Sequence, residues 1–116
     1  MKLKQPYKKY QHHKTGRMNG TERRYSMLLK AAVQAGEIER WEFERLNVRL
    51  ADNTYFLADF YVVYSDHVEM HEIKGGLIRD DAIVKFKVAA ETFPEFRWKM
   101  IQWKSKKEGW KVVKDI

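Results

Sequence analysis

Residues 55–75 read YFLADFYVVYSDHVEMHEIKG, two apolar runs with charges set inside them: Asp59 in the first, Glu72 and Lys74 near the end of the second. A carboxylate among strand-forming residues is costly to bury unless something pairs with it. The runs read as the two strands of a hairpin with Ser65 and Asp66 as its loop. Tyr64 then faces His67, Asp59 faces Glu72, and Leu57 faces Lys74. Directly opposed residues share a face, as do residues two apart in a strand, so Asp59, Glu72 and Lys74 converge. A slip of one residue would send Asp59 to the other side.

Two carboxylates that close repel, and one of them takes up a proton unless a cation intervenes. Carboxylate oxygens together with a backbone carbonyl and waters suit Mg²⁺ or Mn²⁺. A metal so held activates water and stabilises charge on a phosphodiester. A lysine beside it can hold the water or neutralise developing negative charge. This is apparatus for hydrolysing a nucleic-acid backbone. The plainer alternative is an ion pair of Lys74 with Glu72 or Asp59 on a solvated sheet face, since a lone E-x-K arises often by chance. The context favours the site: the opposing acid lies inside an apolar run, Gly75 and Gly76 follow, and a basic segment is present.

The elements around these residues carry their own signals. MNGTERRYSMLLKAAVQAGEIERW reads as a helix marked at both ends. Asn19 is the expected N-cap, Glu22 completes a capping box, and Gly36 is the stop. Tyr25, Leu28, Leu29, Ala32 and Val33 form its apolar stripe, and Glu22 stands near the edge of that stripe. IERWEFERLNVRLA alternates, with Trp41 and Phe43 in one phase, Leu46, Val48 and Leu50 in another, and a bulge expected between them. Residues 52–54 are a turn, 55–64 a strand and 67–74 its partner. RDDAIVKFKVAAETFP is a second helix, capped by Asp80 or Asp81 and ended before Pro94. FRWKMIQW is a further strand, and GWKVVKDI a last short one. The order α-β-β-β-α-β(-β) gives an α/β fold, a mixed sheet with helices packed on it.

The chain has 116 residues, enough for a single domain, and 44% of them are hydrophobic. With no cysteine, disulfides and thiolate metal sites are excluded. There is no apolar stretch long enough for a membrane span and no apolar leader, so a cytoplasmic protein is the expectation. Of the formal charge of +7, six units come from Lys2, Lys4, Lys8, Lys9, Lys14 and Arg17, with no acid before residue 19. Residues 1–18 are therefore expected to be a flexible basic arm on a nearly neutral domain spanning 19–116. Such arms often bind phosphate backbones, and a purely solubilising leader is the alternative. The adjacent His12 and His13 are not expected to ligate a metal.

The arrangement D-x₁₂-E-x-K, preceded by a helix carrying Glu and followed by a Lys-rich helix, resembles the PD-(D/E)XK nuclease superfamily. LLKAAVQAGEI, FLADF, HEIKGG and AIVKFKVAAETFPEFRW are similar to the small phage-type endonucleases, including the junction-resolving endonuclease I group. The resemblance covers roughly residues 19–103. It implies a restriction-endonuclease-like sheet flanked by helices, and an Mg²⁺- or Mn²⁺-dependent endonuclease of phage or prophage origin that acts on DNA. Branched DNA such as Holliday junctions is among the implied substrates, and a homodimer is the implied assembly. Asp59 would be the central metal ligand and Glu72 the second, with the Ile73 carbonyl contributing, and Lys74 the catalytic lysine. Glu22 would be the additional acid that many members carry; its alternative is the capping box. Arg79, Lys85 and Lys87 on or beside the second helix would touch DNA phosphates, or else form a solvated face. Ala58 departs from the name-giving proline.

His71 falls on the face opposite Glu72 and reads as structural. Trp98, Trp103 and Trp110 read as core, and Asp80 and Asp81 as caps rather than ligands. Two further functional readings stand beside the nuclease. One is a nucleic-acid-binding accessory protein without turnover. The other is a nuclease directed at RNA, because nothing here identifies a reader of the 2′-hydroxyl.

Overall fold

The computed structural model describes residues 7–9 and 16–116. In chain order its elements are β1 (Tyr7–Lys9), α1 (Gly20–Gln34), β2 (Arg40–Phe43), β3 (Leu46–Ala51), β4 (Thr54–Leu57), β5 (Phe60–Val63), β6 (Val68–Gly75), α2 (Asp80–Thr92), β7 (Arg97–Ser105) and β8 (Gly109–Asp115). The fold is mixed α/β. A five-stranded sheet has the order β2-β5-β6-β7-β8, and a three-stranded sheet the order β1-β3-β4. In the larger sheet β6 and β7 are parallel, joined by the crossover through α2, while the other pairs are antiparallel. No described helix is long and apolar enough to cross a membrane.

The two helices cover opposite faces of the larger sheet. Tyr25 and Leu29 of α1 pack on Phe60, Val62, Ile73 and Ile101. Phe86, Ala89 and Ala90 of α2 pack on Met70, Trp98 and Met100, together with Val48 and Phe56 of the smaller sheet. The alternation of β6 is the reason: its odd residues look toward α1 and its even ones toward α2.

Helix α1 has both expected ends. Glu22 N–H donates to Asn19 Oδ1 at 2.8 Å, and Asn19 N–H donates to Glu22 Oε1 at 2.9 Å. Gly36, at φ 77°, closes a Schellman turn in which Glu37 N–H reaches the Ala32 carbonyl and Gly36 N–H the Val33 carbonyl. Its stripe is only half covered, since Leu28 and Val33 stay exposed beside buried Tyr25 and Leu29. Helix α2 differs from expectation at its start. Its N-cap is Arg79, with no side-chain cap, and Asp80 and Asp81 lie within the first turn. There they complement the helix dipole rather than cap it.

Two expected strands are each divided. Between β2 and β3 the chain turns at Glu44, with φ 49°, and passes from one sheet to the other. The strand expected over 55–64 breaks at Ala58 and Asp59. β4 pairs with β3, and β5 with β2 and β6. The hairpin register is the expected one, with Phe60 opposite His71, Val63 opposite Val68, and Tyr64 N–H bonded to the His67 carbonyl. The expected pairing of Leu57 with Lys74 does not form, because Leu57 pairs with Asn47 in the smaller sheet. Within the segment expected to be a flexible arm, β1 pairs with β3.

Candidate catalytic site

The site lies where β4 leaves the larger sheet. Because β5 begins only at Phe60, the last part of β6 has no β-ladder partner on that side. The Asp59 side chain fills the gap: Ile73 N–H donates to Asp59 Oδ2 at 2.7 Å. A strand residue presents its N–H and C=O to the same edge, so the Ile73 carbonyl faces this gap too. Continuing the register by one residue sets Asp59 against Glu72, which is buried. Lys74 Nζ is 3.2 Å from Glu72 Oε2. The other oxygen, Glu72 Oε1, is buried without a hydrogen-bond partner.

The electrostatics of this group are strained. Burial, and then the charge of Glu72, push the Asp59 carboxyl well above the ordinary carboxylate range, despite the Ile73 N–H that favours its charged form; Glu22 adds to the rise. Burial raises Glu72 as well, against the opposing pull of Lys74. Glu22 thus stands near enough for its charge to be felt at Asp59 while its side chain closes the capping box. Of the two roles expected of Glu22, the capping box is formed. Gly75 makes this approach feasible, since a Cβ there would stand 2.9 Å from Thr21 Oγ1. Only a bare backbone lets the first turn of α1 sit against the end of β6.

Among the described residues, no group of three or more His, Cys, Asp or Glu side chains is disposed to hold a metal ion. The oxygen donors at the gap are the opposed carboxyls of Asp59 and Glu72 with the Ile73 carbonyl, and Glu22 stands behind them. The unpartnered Glu72 Oε1 and the mutual repulsion of the acids fit a hard divalent cation such as Mg²⁺ or Mn²⁺.

The opposite face of β6 holds a second charged cluster that sequence reasoning did not anticipate. Glu69 Oε1 accepts from His71 Nε2 at 2.9 Å, Glu69 Oε2 is 2.7 Å from His67 Nε2, and Lys99 Nζ is 3.3 Å from Glu69 Oε1. His71 Nδ1 meets the Tyr25 hydroxyl at 2.7 Å, so His71 packs against α1. Burial works to raise Glu69, but the hydrogen bonds from His71 and His67 and the nearby positive charge hold it down at about 2. The available signal was H-x-E-x-H over His67, Glu69 and His71, which puts all three on one face of a strand.

The residues expected to touch nucleic acid are dispersed. Arg17, Arg79, Lys85 and Lys87 are exposed. Arg79 Nε lies 3.5 Å from Asp81 Oδ1. Lys85 lines an apolar hollow of about 470 Å³ with Leu50, Thr54, Val84 and Val88, between α2 and the β3–β4 turn. Lys14, His12 and His13 lie outside the described residues, as do the side chains of Lys8 and Lys9. Trp98 is core, with its indole N–H on the Phe93 carbonyl at 2.9 Å. Trp103 and Trp110 pack against each other with ring centroids 5.1 Å apart, and the Arg24 guanidinium lies 4.3 Å over Trp103.

Comparison with protein-family models gives no match, and comparison with curated proteins and with solved structures gives none either.

Proposed function

We propose that the chain is a metal-dependent endonuclease that hydrolyses DNA phosphodiester bonds by activated water, without a covalent intermediate. The observation that carries this reading is the buried opposition of Asp59 and Glu72, with Glu72 Oε1 unpartnered and Lys74 beside it. A fold selected only for stability gains nothing from two buried carboxyls facing each other. Mg²⁺ or Mn²⁺, held by Asp59, Glu72 and the Ile73 carbonyl, would supply Lewis acidity and a water of lowered pKa.

The chain's own groups have separate tasks. Ile73 N–H fixes one oxygen of Asp59 and leaves the other free to turn into the gap. Lys74 Nζ supplies a positive charge at the mouth of the site, where it can hold the water or balance charge on the phosphate. Asn19 fixes Glu22 behind Asp59, so its carboxyl needs no reordering when the site fills. The resemblance to phage-type endonucleases adds branched DNA as the substrate of choice. Matched cuts in a junction need two sites related by symmetry, hence a homodimer.

The test compares wild type with Asp59→Asn and Lys74→Ala on a labelled four-way junction and on a matched linear duplex, with Mg²⁺ or with EDTA. The expected result is Mg²⁺-dependent cleavage, favouring the junction, that disappears in both variants while binding persists. Binding without cleavage under Mg²⁺ or Mn²⁺ would transfer the reading to a non-catalytic nucleic-acid-binding protein. An intact junction and duplex beside a degraded RNA would redirect the nuclease to RNA.

A further inference from the structure

From Arg97 to Asp115 the chain carries seven basic residues and only two acidic ones, Glu108 and Asp115. Arg97 and Lys99 are engaged at the Glu69 end of the sheet, the former against His67. Lys104, Lys106, Lys107 and Lys111 are exposed and form no ion pair among the described residues.

The sheet register fixes where Lys111 points. In the parallel β6–β7 pair, Lys74 stands beside Gln102 and Gly75 beside Trp103. In the antiparallel β7–β8 pair, Gln102 stands beside Lys111 and Trp103 beside Trp110. Neighbours across a ladder share a face. Lys74, Gln102 and Lys111 therefore form one row on the α2 side of the sheet, the side that also presents Glu72. The alternation agrees: Trp110 packs in the α1 cluster and Val113 in the α2 cluster, which puts Lys111 on the α2 side. Lys104 is the extra residue of a bulge between Trp103 and Ser105, at the turn end of the β7–β8 hairpin. Two strand spacings separate Lys74 from Lys111, about 10 Å. The β7–β8 turn bearing Lys106 and Lys107 projects past the end of β6, beyond Gly75. Gln102 is anchored by a hydrogen bond from its Nε2 to the Gly76 carbonyl, which ties this row to the site's own glycine turn.

We infer that Lys111, with Lys104, Lys106 and Lys107 at the turn end of the hairpin, forms a phosphate-binding track that leads a nucleic-acid strand across the larger sheet to Lys74. The inference rests on the nuclease reading and adds the direction from which the backbone enters. Phosphates are the fitting ligand because Lys104, Lys106, Lys107 and Lys111 are exposed cations without an ion pair among the described residues, and the row through Gln102 sets Lys111 about 10 Å from the lysine of the candidate site. Lys85 borders the β3–β4 turn, on another flank, and is not part of this track.

The test is DNA binding by fluorescence anisotropy in the full chain carrying Asp59→Asn, in EDTA, across salt concentrations of about 50 to 200 mM. A Lys104→Ala/Lys111→Ala pair is compared with Lys30→Ala, an exposed lysine on α1. Loss of two phosphate contacts lowers the log–log salt slope by about 2, which narrows the affinity loss over that range roughly tenfold. The expected result is this change in the double variant and none in Lys30→Ala. An unchanged slope in the double variant, with the parent binding DNA and wild type cleaving it, overturns the track and leaves the nuclease standing. Absence of both binding and cleavage in wild type overturns the nuclease reading, and the track with it.

Discussion

Glu69 and Glu72 sit three residues apart in one strand, both buried, on opposite faces of the sheet. Glu69 is surrounded by donors: two imidazoles and an ammonium meet its two oxygens, and its carboxyl is held at about 2. Glu72 faces another carboxyl, has one cation, and keeps an oxygen without a partner. The same side chain in the same strand is thus a satisfied structural element on one face and an unresolved charge on the other. The lesson is that burial alone does not mark a functional acid. What marks it is burial among groups of the same sign, with a coordination site left open.

The comparison breaks most sharply at Glu69. Glu69→Ala leaves His71 and Lys99 facing an empty buried site, and the expected loss is about 3–5 kcal/mol in urea unfolding. A loss below about 1 kcal/mol would show that the cluster is not a stabilising network. Next in size is Gly75→Ala. Its new Cβ meets Thr21 at 2.9 Å, and forcing the first turn of α1 away should cost about 1–3 kcal/mol and impair cleavage through the displaced Glu22. Adding Thr21→Ala should restore much of both, a rescue that a purely conformational effect of alanine at Gly75 would not give.

Asp59→Asn should act in the opposite sense. Removing one of two repelling carboxyls raises stability in EDTA by about 1 kcal/mol while cleavage is lost. Mg²⁺ should raise the melting temperature of wild type and leave that of the variant nearly unchanged.

The smallest effect is in pH. Glu69, held low in the folded state, contributes stability that is present above the unfolded carboxylate value of about 4.3 and lost as pH falls toward 2. Asp59 and Glu72 are raised, so the folded state binds more protons than the unfolded one, and stability declines as pH rises above the ordinary carboxylate range. In EDTA, Glu69→Gln should remove the acid limb of the stability profile and Asp59→Asn should flatten the decline on the other side. Parallel profiles in all three proteins would contradict the two-face comparison.

Much of the fold was legible because its signals are local. The capping box at Asn19, the stop at Gly36, the turn at residues 65–66 and the crossover through α2 each depend on a few neighbouring residues. The approach of Asp59 to Glu72 was legible for the same reason, since a two-residue loop fixes the register of the residues next to it, here as far as Phe60 opposite His71. The break at Ala58 and Asp59 was not. Asp59 within the run reads equally as a charge inside one strand, so the run gives no sign that its halves belong to different sheets, a choice made by the partners β3 and β6. The polarised charge of the β7–β8 hairpin was hidden by averaging over a nearly neutral domain.

The sequence by itself determined which residues could share a face, where the helices start and stop, and that two acids and a lysine meet at the end of a hairpin. Tertiary structure decided what those acids experience. Tyr25, 46 residues from His71, completes the buried cluster on one face, and the first turn of α1 brings Glu22 near Asp59 at the edge gap beside β6. The physical reason is range. Backbone hydrogen bonds and turns are set by adjacent residues, whereas the charge state of a buried group is set by whatever the fold packs against it.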